Sequence, residues 1–313
     1  MTFKGVDFFP HGTRVPVMKW GKFCIMISVV LTLISIALLS TKGLNFGIDF
    51  KGGTLLEVQV KQGEIDIGAL RSIVSGLGLG EVQVQGSGTT DALIRVEQQP
   101  GGEKAQQAAA DKVKAAISND YDVRRTEVVG PSVSGELKTA SLLACFTAIL
   151  GILIYVWFRF EWQFGLAAVL ALVHDTIITA GMFSLLGFDF GLAEVAAILT
   201  LAGYSINDTV VVFDRIRENL RKYKRMPLGE LMDLSINETL SRTVLTATTT
   251  FIAVLSLYVF GTEVIAGFSF AMLFGIVIGT WSSIFVASPF LHWIGIKRDW
   301  SEVQAKTIAG AKV

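Results

Sequence analysis

The side chains best suited to chemistry in this sequence lie inside long apolar stretches. His174 and Asp175 occupy the middle of one stretch, and Asp208 occupies another, where Tyr204 precedes it by one helical turn and shares its face. An ionisable group within a membrane-spanning helix costs roughly 2.5–3.5 kcal/mol on insertion scales, so each one is a candidate functional group. These polar faces cannot point at lipid, and we expect them to face one another inside a helix bundle.

A second polar stripe begins the next apolar stretch. Thr239, Arg242 and Thr246 recur at three- and four-residue spacing, so they share one face of a helix. The simplest pairing brings the Arg242 guanidinium to the Asp208 carboxylate. Such a pair either only orients two helices, or it binds and releases protons, because burial and a nearby cation act on a carboxylate in opposite directions. The secondary candidates for a proton path are the neighbouring polar residues Asn207, Tyr204, His174, Asp175, Thr239 and Thr246.

His174 and Asp175 carry an alternative interpretation of their own. Adjacent residues of these types can satisfy each other at a helix contact without taking part in transport.

The composition favours a membrane protein. Of 313 residues, 51% are hydrophobic and only 17% are charged, whereas a soluble domain carries about a quarter charged residues. Lys and Arg together number 27, as do Asp and Glu, and this balance disfavours a nucleic-acid binder. Cys24 and Cys145 both lie in apolar stretches and cannot form a disulfide framework, and no Cys/His spacing is typical of zinc. We therefore expect neither a metal nor a cofactor.

Six stretches are long enough to cross the hydrocarbon core as helices, which takes about 20 mostly apolar residues. The first is too long for a cleaved signal peptide, and no small-residue cleavage site follows it, so we expect it to be retained. The predicted spans are residues 23–40, 140–158, 164–186, 192–213, 244–260 and 264–294.

Basic residues in the connections predict the orientation of the spans. Lys and Arg occur in the N-terminal segment 1–22, in a loop over 214–243 and in the tail 295–313, which the positive-inside rule assigns to the cytoplasm. The connections around 187–190 and 261–263 contain neither and are expected outside. The basic run at 215–225 is typical of a solvated loop that fixes orientation, with a docking surface for a partner as the alternative.

A polar insert, residues 41–139, separates the first two predicted spans. Alternating or apolar-rich runs predict four strands, and apolar residues at helical spacing predict two helices. The resulting order β-α-β-β-α-β is typical of a ferredoxin-like α+β domain, without a catalytic constellation and best explained as a binding or lever module. The predicted strands are 54–60, 81–86, 92–97 and 122–129, and the predicted helices are 65–76 and 103–118.

Two glycine patterns have structural interpretations. The glycine-rich stretch 76–80 lacks the Lys and Ser partners of a phosphate-binding loop. Gly275 and Gly279 in the sixth span form a small-xxx-small motif, which favours close helix packing.

Several motifs then carry a resemblance to a known family. The sequence G-I-D-F-K-G-G at 47–53 contains a D-F-x-G-G motif, and V-G-P at 129–131 leads into the second span. Longer matches are G-Y-S-I-N-D-T-V-V-V-F-D-R-I-R-E-N at 203–219 and N-E-T-L-S-R-T at 237–243. With them, nearly the whole chain resembles the SecD/SecF family of bacterial protein-export membrane proteins. The residues that this resemblance marks as structural are Asp49, Phe50, Gly52, Gly53, Gly130 and Pro131.

The resemblance implies a fold and a function. It implies half of an RND-superfamily fold: six inner-membrane helices with the insert in the periplasm and both termini in the cytoplasm. It also implies a non-enzymatic subunit that uses the proton motive force with SecD to complete preprotein translocation, with Asp208 and Arg242 as the proton relay. The implied partners are SecD, the SecYEG translocon, the translocating preprotein and membrane lipids, and no nucleic acid is implied.

Two features qualify the resemblance. Ser134 stands where the family often has Gly, which affects only the local turn. The chain has one set of six predicted spans and lacks the larger external domain of SecD, so we expect a subunit that is incomplete alone, not a fused SecDF.

Other functions remain as alternatives. A proton-driven half-transporter of lipids or small molecules would need a tunnel through larger external domains than this insert. A non-conducting scaffold of the translocon would need no proton relay. An intramembrane protease is disfavoured, because the sequence contains neither H-E-x-x-H nor a Ser/His pair at helix-compatible spacing.

Overall fold

The computed structural model describes residues 14–296. Lys4, the first part of the predicted N-terminal segment and the tail from residue 297 onward therefore lie outside the described residues. In chain order the elements are α1 (Val17–Thr41), β1 (Asn45–Phe46), α2 (Ile48–Lys51), β2 (Gly53–Val60), α3 (Ile67–Ser75), β3 (Val82–Ser87), β4 (Asp91–Val96), α4 (Glu103–Ile117), β5 (Tyr121–Val129), α5 (Pro131–Arg159), α6 (Trp162–Leu186), β6 (Asp189–Phe190), α7 (Leu192–Lys222), α8 (Leu228–Phe260), α9 (Glu263–Ser282), a π-helical turn (Ser283–Ala287) and α10 (Ser288–Ile294).

Six helical segments of the described chain are long and apolar enough to cross a membrane. They are α1, α5, α6, α7, α8 and the continuous segment Val264–Ile294, and each contains one of the predicted spans. The protein is therefore a multi-pass helical membrane protein. The apolar window of α6 is 56% buried within this chain, whereas those of α5 and α8 are only 6% and 11% buried. Helix α6 is thus central, and α5 and α8 present large apolar faces that this chain does not cover.

The predicted cytoplasmic loop over 214–243 is mostly helical, which corrects the expectation from its charges. Helix α7 continues to Lys222, and α8 begins at Leu228 directly after Pro227, so only the short connection 223–227 is non-helical. Arg, Glu, Leu and Lys are all good helix formers, so a segment with too many charges to cross a membrane can still be helical. A prediction from charge alone therefore mistook the end of the membrane span for the end of the helix.

The membrane helices pack around aromatic and small side chains. Phe164 of α6 packs edge-on against Phe213 of α7, with ring centroids 5.3 Å apart, and stacks with Phe160 at 5.9 Å. All three rings are buried. At the other end of α6, a Cβ atom on Gly181 would lie 2.4 Å from Cβ of Ser35 in α1. The missing side chain lets these two helices approach closely, as is usual for small residues between membrane helices.

The insert contains a four-stranded antiparallel sheet with two helices. Its elements follow in the order β2-α3-β3-β4-α4-β5, as the sequence predicts, and the strands lie side by side in the order β3-β4-β2-β5. Alternation along β4 buries Ala92, Ile94 and Val96, because successive side chains of a strand point to opposite faces. Leu70 and Val74 of α3 and Val113 of α4 belong to the same buried core.

A second, two-stranded sheet was not predicted. Strand β1 pairs in parallel with β6, so that Asn45 lies opposite Asp189 and Phe46 opposite Phe190. The Asp189 carboxylate is held by the guanidinium of Arg95 in β4, with Arg95 Nη1 2.8 Å from Oδ1, and by the amide of Asn45 at 2.7 Å. The segment before α7 is thereby attached to the compact unit that contains the insert.

We predict that Gly53→Ala destabilises the insert. Gly53 has a φ of +129°, and an added Cβ would lie 2.6 Å from the backbone oxygen of Val96. We expect a loss of about 1–3 kcal/mol in the free energy of unfolding, measured as faster proteolysis of the insert in the purified protein.

Gly135→Ala is the matched control, because Gly135 lies in helix α5 and a Cβ there would meet nothing within 4 Å. Equal proteolysis of the two variants would contradict the assigned strain at Gly53.

Candidate functional site

Asp208 lies in helix α7 and is only 4% exposed. Its Oδ2 atom is buried and accepts no hydrogen bond from the described residues. Arg242 of α8 acts on the carboxylate through its positive charge, yet the two side chains form no ion pair within the described chain. The direct Asp208–Arg242 pair expected from the sequence is therefore not formed.

The reason for this difference lies in helix α8. Arg242 is an exposed residue on a helix whose apolar window is only 11% buried in this chain. Its guanidinium is therefore close enough to Asp208 to attract it but is not enclosed with it.

Other buried polar atoms near Asp208 also lack partners among the described residues. The Tyr204 hydroxyl lies beside the hydroxyls of Thr250 and Thr280, but the Tyr204 and Thr280 oxygens make no well-formed hydrogen bond, and neither does Thr243 Oγ1. Buried polar groups in proteins are normally satisfied by protein or by ordered water. Helices α7, α8 and α9 therefore carry buried polar atoms whose hydrogen-bonding capacity the described residues leave unused.

The remaining secondary candidates differ in their surroundings. Asn207 is exposed and does not share the buried face of Asp208. Thr239 donates to backbone oxygens of its own helix, Ser235 at 3.2 Å and Ile236 at 3.0 Å, and Thr246 donates to the Arg242 carbonyl at 2.8 Å. These two hydroxyls are thus engaged within α8.

Asp175 is the best-satisfied buried carboxylate of the helix bundle. It is 1% exposed in the centre of α6, and His174 Nδ1 donates to its Oδ1 at 2.9 Å. Its Oδ2 accepts from Ser205 of α7 at 2.5 Å and from Ser282 of α9 at 2.8 Å. Asp175 therefore joins three membrane helices through one side chain. The Nε2 atom of His174 is buried without a partner among the described residues.

A second hydroxyl bridge lies beside this carboxylate. Thr209 Oγ1 of α7 and Ser283 Oγ are 2.9 Å apart, and Ser283 begins the π-helical turn. The Ser288 hydroxyl donates to the Ser283 carbonyl at 3.2 Å, which satisfies a backbone group in that turn. Single π-helical turns occur frequently at functional sites. Asp208 follows Ser205 and precedes Thr209, so both bridges hold the stretch of α7 that carries it.

Sequence reasoning missed Ser282 and Ser283. Their signal was a pair of serines in an otherwise apolar span, directly after the glycine motif. That motif was interpreted as helix packing, which is confirmed: a Cβ on Gly275 would lie 2.2 Å from Leu201, and one on Gly279 would lie 3.2 Å from Cβ of Ser205. Gly279 also leaves room for Asp175, whose Oδ2 would be 3.6 Å from the added atom.

The D-F-x-G-G motif lies at the start of the helix that carries Asp208. Asp49 Oδ2 accepts from the backbone N–H of Leu192, the first residue of α7, at 2.8 Å, and Glu194 Oε2 accepts from Gly191 N–H at 2.7 Å. The first N–H groups of a helix have no partner within it, and negative charge there is favourable. A Cβ on Gly191 would lie 2.6 Å from Asp49 Oδ2, so glycine is needed for the approach.

The remaining motif residues shape the ends of neighbouring elements. Phe50 packs edge-on against Phe46 of β1 at 5.9 Å between ring centroids, and Gly52 has a φ of +74° at the end of α2. Gly130 passes the side chain of Glu103 so closely that a Cβ would lie 2.6 Å from it, and Pro131 is the first residue of α5, where its missing N–H costs nothing. Ser134 fits this first turn, and its hydroxyl donates to the Pro131 carbonyl at 3.1 Å.

These features define a multi-pass helical membrane protein with a mixed α/β insert and buried carboxylates among its helices. The chain belongs to the SecD/SecF family. The family model described as "Protein export membrane protein SecD/SecF, C-terminal" matches residues 109–297, and that of the SecD/SecF GG motif matches residues 37–64.

Individual relatives cover this chain almost completely. The protein translocase subunit SecF of Cereibacter sphaeroides is 44% identical over 307 residues, which are 95% of this chain and 94% of that protein. The SecDF of Brucella abortus is 43% identical over 92% of this chain, but the chain spans only 38% of its length. The crystal structure of a translocon-associated SecDF from Thermus is similar with a TM-score of 0.83 and 33% identity, covering 92% of this chain and 39% of that one.

Within residues 14–296, no group of three or more His, Cys, Asp or Glu side chains is placed to hold a metal ion.

We predict that Asp175→Ala strongly destabilises the helix bundle. Removing the carboxylate leaves His174 of α6 and Ser205 of α7 without an acceptor and breaks the contact to Ser282 of α9, which keeps only the Gly279 carbonyl of its own helix. We expect a loss of about 3 kcal/mol or more. The measurement is the thermal unfolding midpoint of the purified protein in detergent. Thr176→Ala is the control, because the Thr176 hydroxyl donates only to the Leu172 carbonyl of its own helix. A midpoint for Asp175→Ala as high as that of the control would refute the three-helix contact.

We also predict that Asp49→Ala frays the start of α7. Loss of the capping acceptor costs about 1 kcal/mol and should speed hydrogen exchange of the amides at 192–195 several-fold. Asp49→Asn should keep their protection, because an Asn side chain also accepts from a helix N-terminus. Fast exchange in the Asn variant would show that charge, not capping, is the essential property.

Proposed function

We propose that the protein is an accessory subunit of the Sec preprotein translocase that acts with SecD and uses the proton motive force to complete translocation across the bacterial inner membrane. Membership of the SecD/SecF family supports this role. So do relatives of nearly the same length that are named protein translocase subunits SecF. It is a transport role without catalytic residues.

The observation that carries the proposal is the burial of Asp208 with its Oδ2 atom unpartnered in the described chain. A carboxylate that is 4% exposed among membrane helices, with Oδ2 unpartnered in the described chain, is costly to keep charged. Protonation removes this cost, and the attraction by Arg242 opposes it. Binding a proton cancels the pull between α7 and α8, and release restores it. The relay therefore consists of Asp208 and Arg242, with Tyr204 as a neighbour on the same face.

The open face of Arg242 supports a partner at this site. Helices α5 and α8 are the least covered of the six membrane segments, and relatives of the SecDF type join a SecF-like region to a longer chain. We assign SecD to this face, with a carboxylate of SecD as the second acceptor near Arg242. SecYEG, the translocating preprotein and membrane lipids are the further partners of the proposed complex.

The proposed orientation of the helices in the membrane follows from the distribution of basic residues. The insert, residues 41–139, is a ferredoxin-like domain in the periplasm, and both termini are cytoplasmic. Asp49, Arg95 and Asp189 connect the sheets of the insert region to the first turn of α7. Helix α7 is continuous from Leu192 to Lys222, so movement at its periplasmic end is transmitted to Asp208.

In this proposal His174 and Asp175 position α7 and do not relay protons. Asp175 already has three donors, from His174, Ser205 and Ser282. These hydrogen bonds tie α6, α7 and α9 together through one side chain, which suits a positioning role. Its contact with Ser205 keeps the adjacent turn of α7 in place.

The first test is Asp208→Asn in a strain depleted of the native protein and scored for preprotein export. Asn keeps the size of the side chain but cannot carry a proton, so the part of export that depends on the proton motive force should be lost. Glu230→Gln, an exposed charge on α8, is the control and should export normally. Full export by Asp208→Asn would contradict the proton-relay proposal and would favour the role of a non-conducting scaffold.

The second test is Arg242→Lys in the same strain. A guanidinium presents a planar fork that can serve two carboxylates at once, whereas an ammonium is a point charge. We expect reduced export if Arg242 serves both Asp208 and a carboxylate of SecD. Export at the level of the unaltered protein would show that positive charge alone is sufficient there.

A further inference from the structure

The sequence contains a basic run at 215–225 that the proposed function does not use. In the structure its first part lines a cavity of about 590 Å³ at the end of α7, beside the end of α5. The residues that line this cavity are Arg159, Asp214, Arg217, Glu218, Arg221 and Lys222. Four cations and two carboxylates therefore face the same space.

The two carboxylates are already neutralised. Asp214 accepts from Arg159 at 2.7 Å, and Glu218 accepts at 2.6 Å from Arg215, which does not line the cavity. Within the described chain, Arg217, Arg221 and Lys222 form no ion pair. Arg215 also pairs with Glu238. Among the described residues around the cavity, five cations therefore face three carboxylates, which leaves an excess of two positive charges.

Two of the cations are held close together on one ring. The guanidinium carbons of Arg159 and Arg217 lie 5.0 and 5.2 Å from the centroid of the buried Phe160 ring. Arg217 also donates to the Arg159 backbone carbonyl at 3.2 Å. The ring and this hydrogen bond hold the Arg217 guanidinium in place in the cavity lining, so it is preorganised for an anion with several oxygen atoms.

Exposed aromatic side chains identify the surroundings of the cavity. Trp157 and Phe158 immediately precede Arg159 and are 68% and 86% exposed, and Trp162 at the start of α6 is 55% exposed. Tryptophan is enriched where membrane helices meet the headgroup layer. The cavity thus lies at the depth of lipid phosphates, with apolar helix surface available for acyl chains.

We infer that this cavity is a binding site for the headgroup of an anionic phospholipid in the cytoplasmic leaflet, with the phosphate between Arg217, Arg221 and Lys222. The inference rests on the membrane position of α5 and α7 and on the proposed orientation, and not on proton transfer at Asp208. Juxtamembrane basic clusters of this kind attract anionic lipids, and the preformed cavity adds a defined place for one.

The test is a titration of the delipidated, purified full chain in detergent, followed by native mass spectrometry. Phosphatidylglycerol is the probe, phosphatidylcholine is the zwitterionic comparison, and inorganic phosphate is the competitor. The double variant Arg221→Gln/Lys222→Gln removes two exposed cations of the cavity. The matched control Lys224→Gln/Arg225→Gln removes two cations of the same basic run that do not line it.

We expect one tightly bound phosphatidylglycerol on the unaltered chain and on the control pair. The variant Arg221→Gln/Lys222→Gln should bind phosphatidylglycerol roughly thirtyfold more weakly, since the loss of each juxtamembrane cation weakens binding by a similar factor. Phosphatidylcholine should bind weakly to all forms, and inorganic phosphate at equal concentration should not displace the lipid. Equal weakening in the control pair, equal binding of phosphatidylcholine, or displacement by phosphate would each overturn the inference.

Discussion

A carboxylate buried among membrane helices must be compensated, because neither lipid nor bulk water can stabilise its charge. Among the described residues, Asp175 and Asp208 are two such carboxylates on neighbouring helices, and they are compensated differently. Asp175 accepts hydrogen bonds from three side chains of its own chain. Asp208 has an unpartnered oxygen in the described structure and an attracting cation that is not in contact with it. The first carboxylate is held by contacts that join helices, and the second retains an oxygen that can accept a further partner.

Close packing of the helices allows the contacts of Asp175 to form. Gly275 and Gly279 bring α9 close to α7, and this approach allows Ser282 and Ser283 to bond partners on α6 and α7. Asp175 therefore holds the neighbouring turn of α7 in place through its hydrogen bond with Ser205. At its other end α7 is capped by Asp49 of the D-F-x-G-G motif. A single helix thus links that motif to the candidate relay.

Local patterns in the sequence predicted local structure well. The six spans follow from their length and apolarity, and the β-α-β-β-α-β order of the insert follows from alternation such as that which buries Ile94. Contacts between distant residues could not be predicted in this way. The pairing of β1 with β6 and the Asp49–Leu192 cap join positions more than a hundred residues apart, and no periodicity in the sequence encodes them. The open face of Arg242 depends on how α8 packs, which spacing along the helix does not specify.

Proton entry into vesicles tests the central claim most directly. The chain is reconstituted together with SecD in vesicles that contain a pH-sensitive dye, and a membrane potential is imposed. We expect acidification that requires both proteins and is abolished when Asp208 is replaced by Asn while Asp175 is left intact. Acidification at an unchanged rate without the Asp208 carboxylate would contradict the central claim.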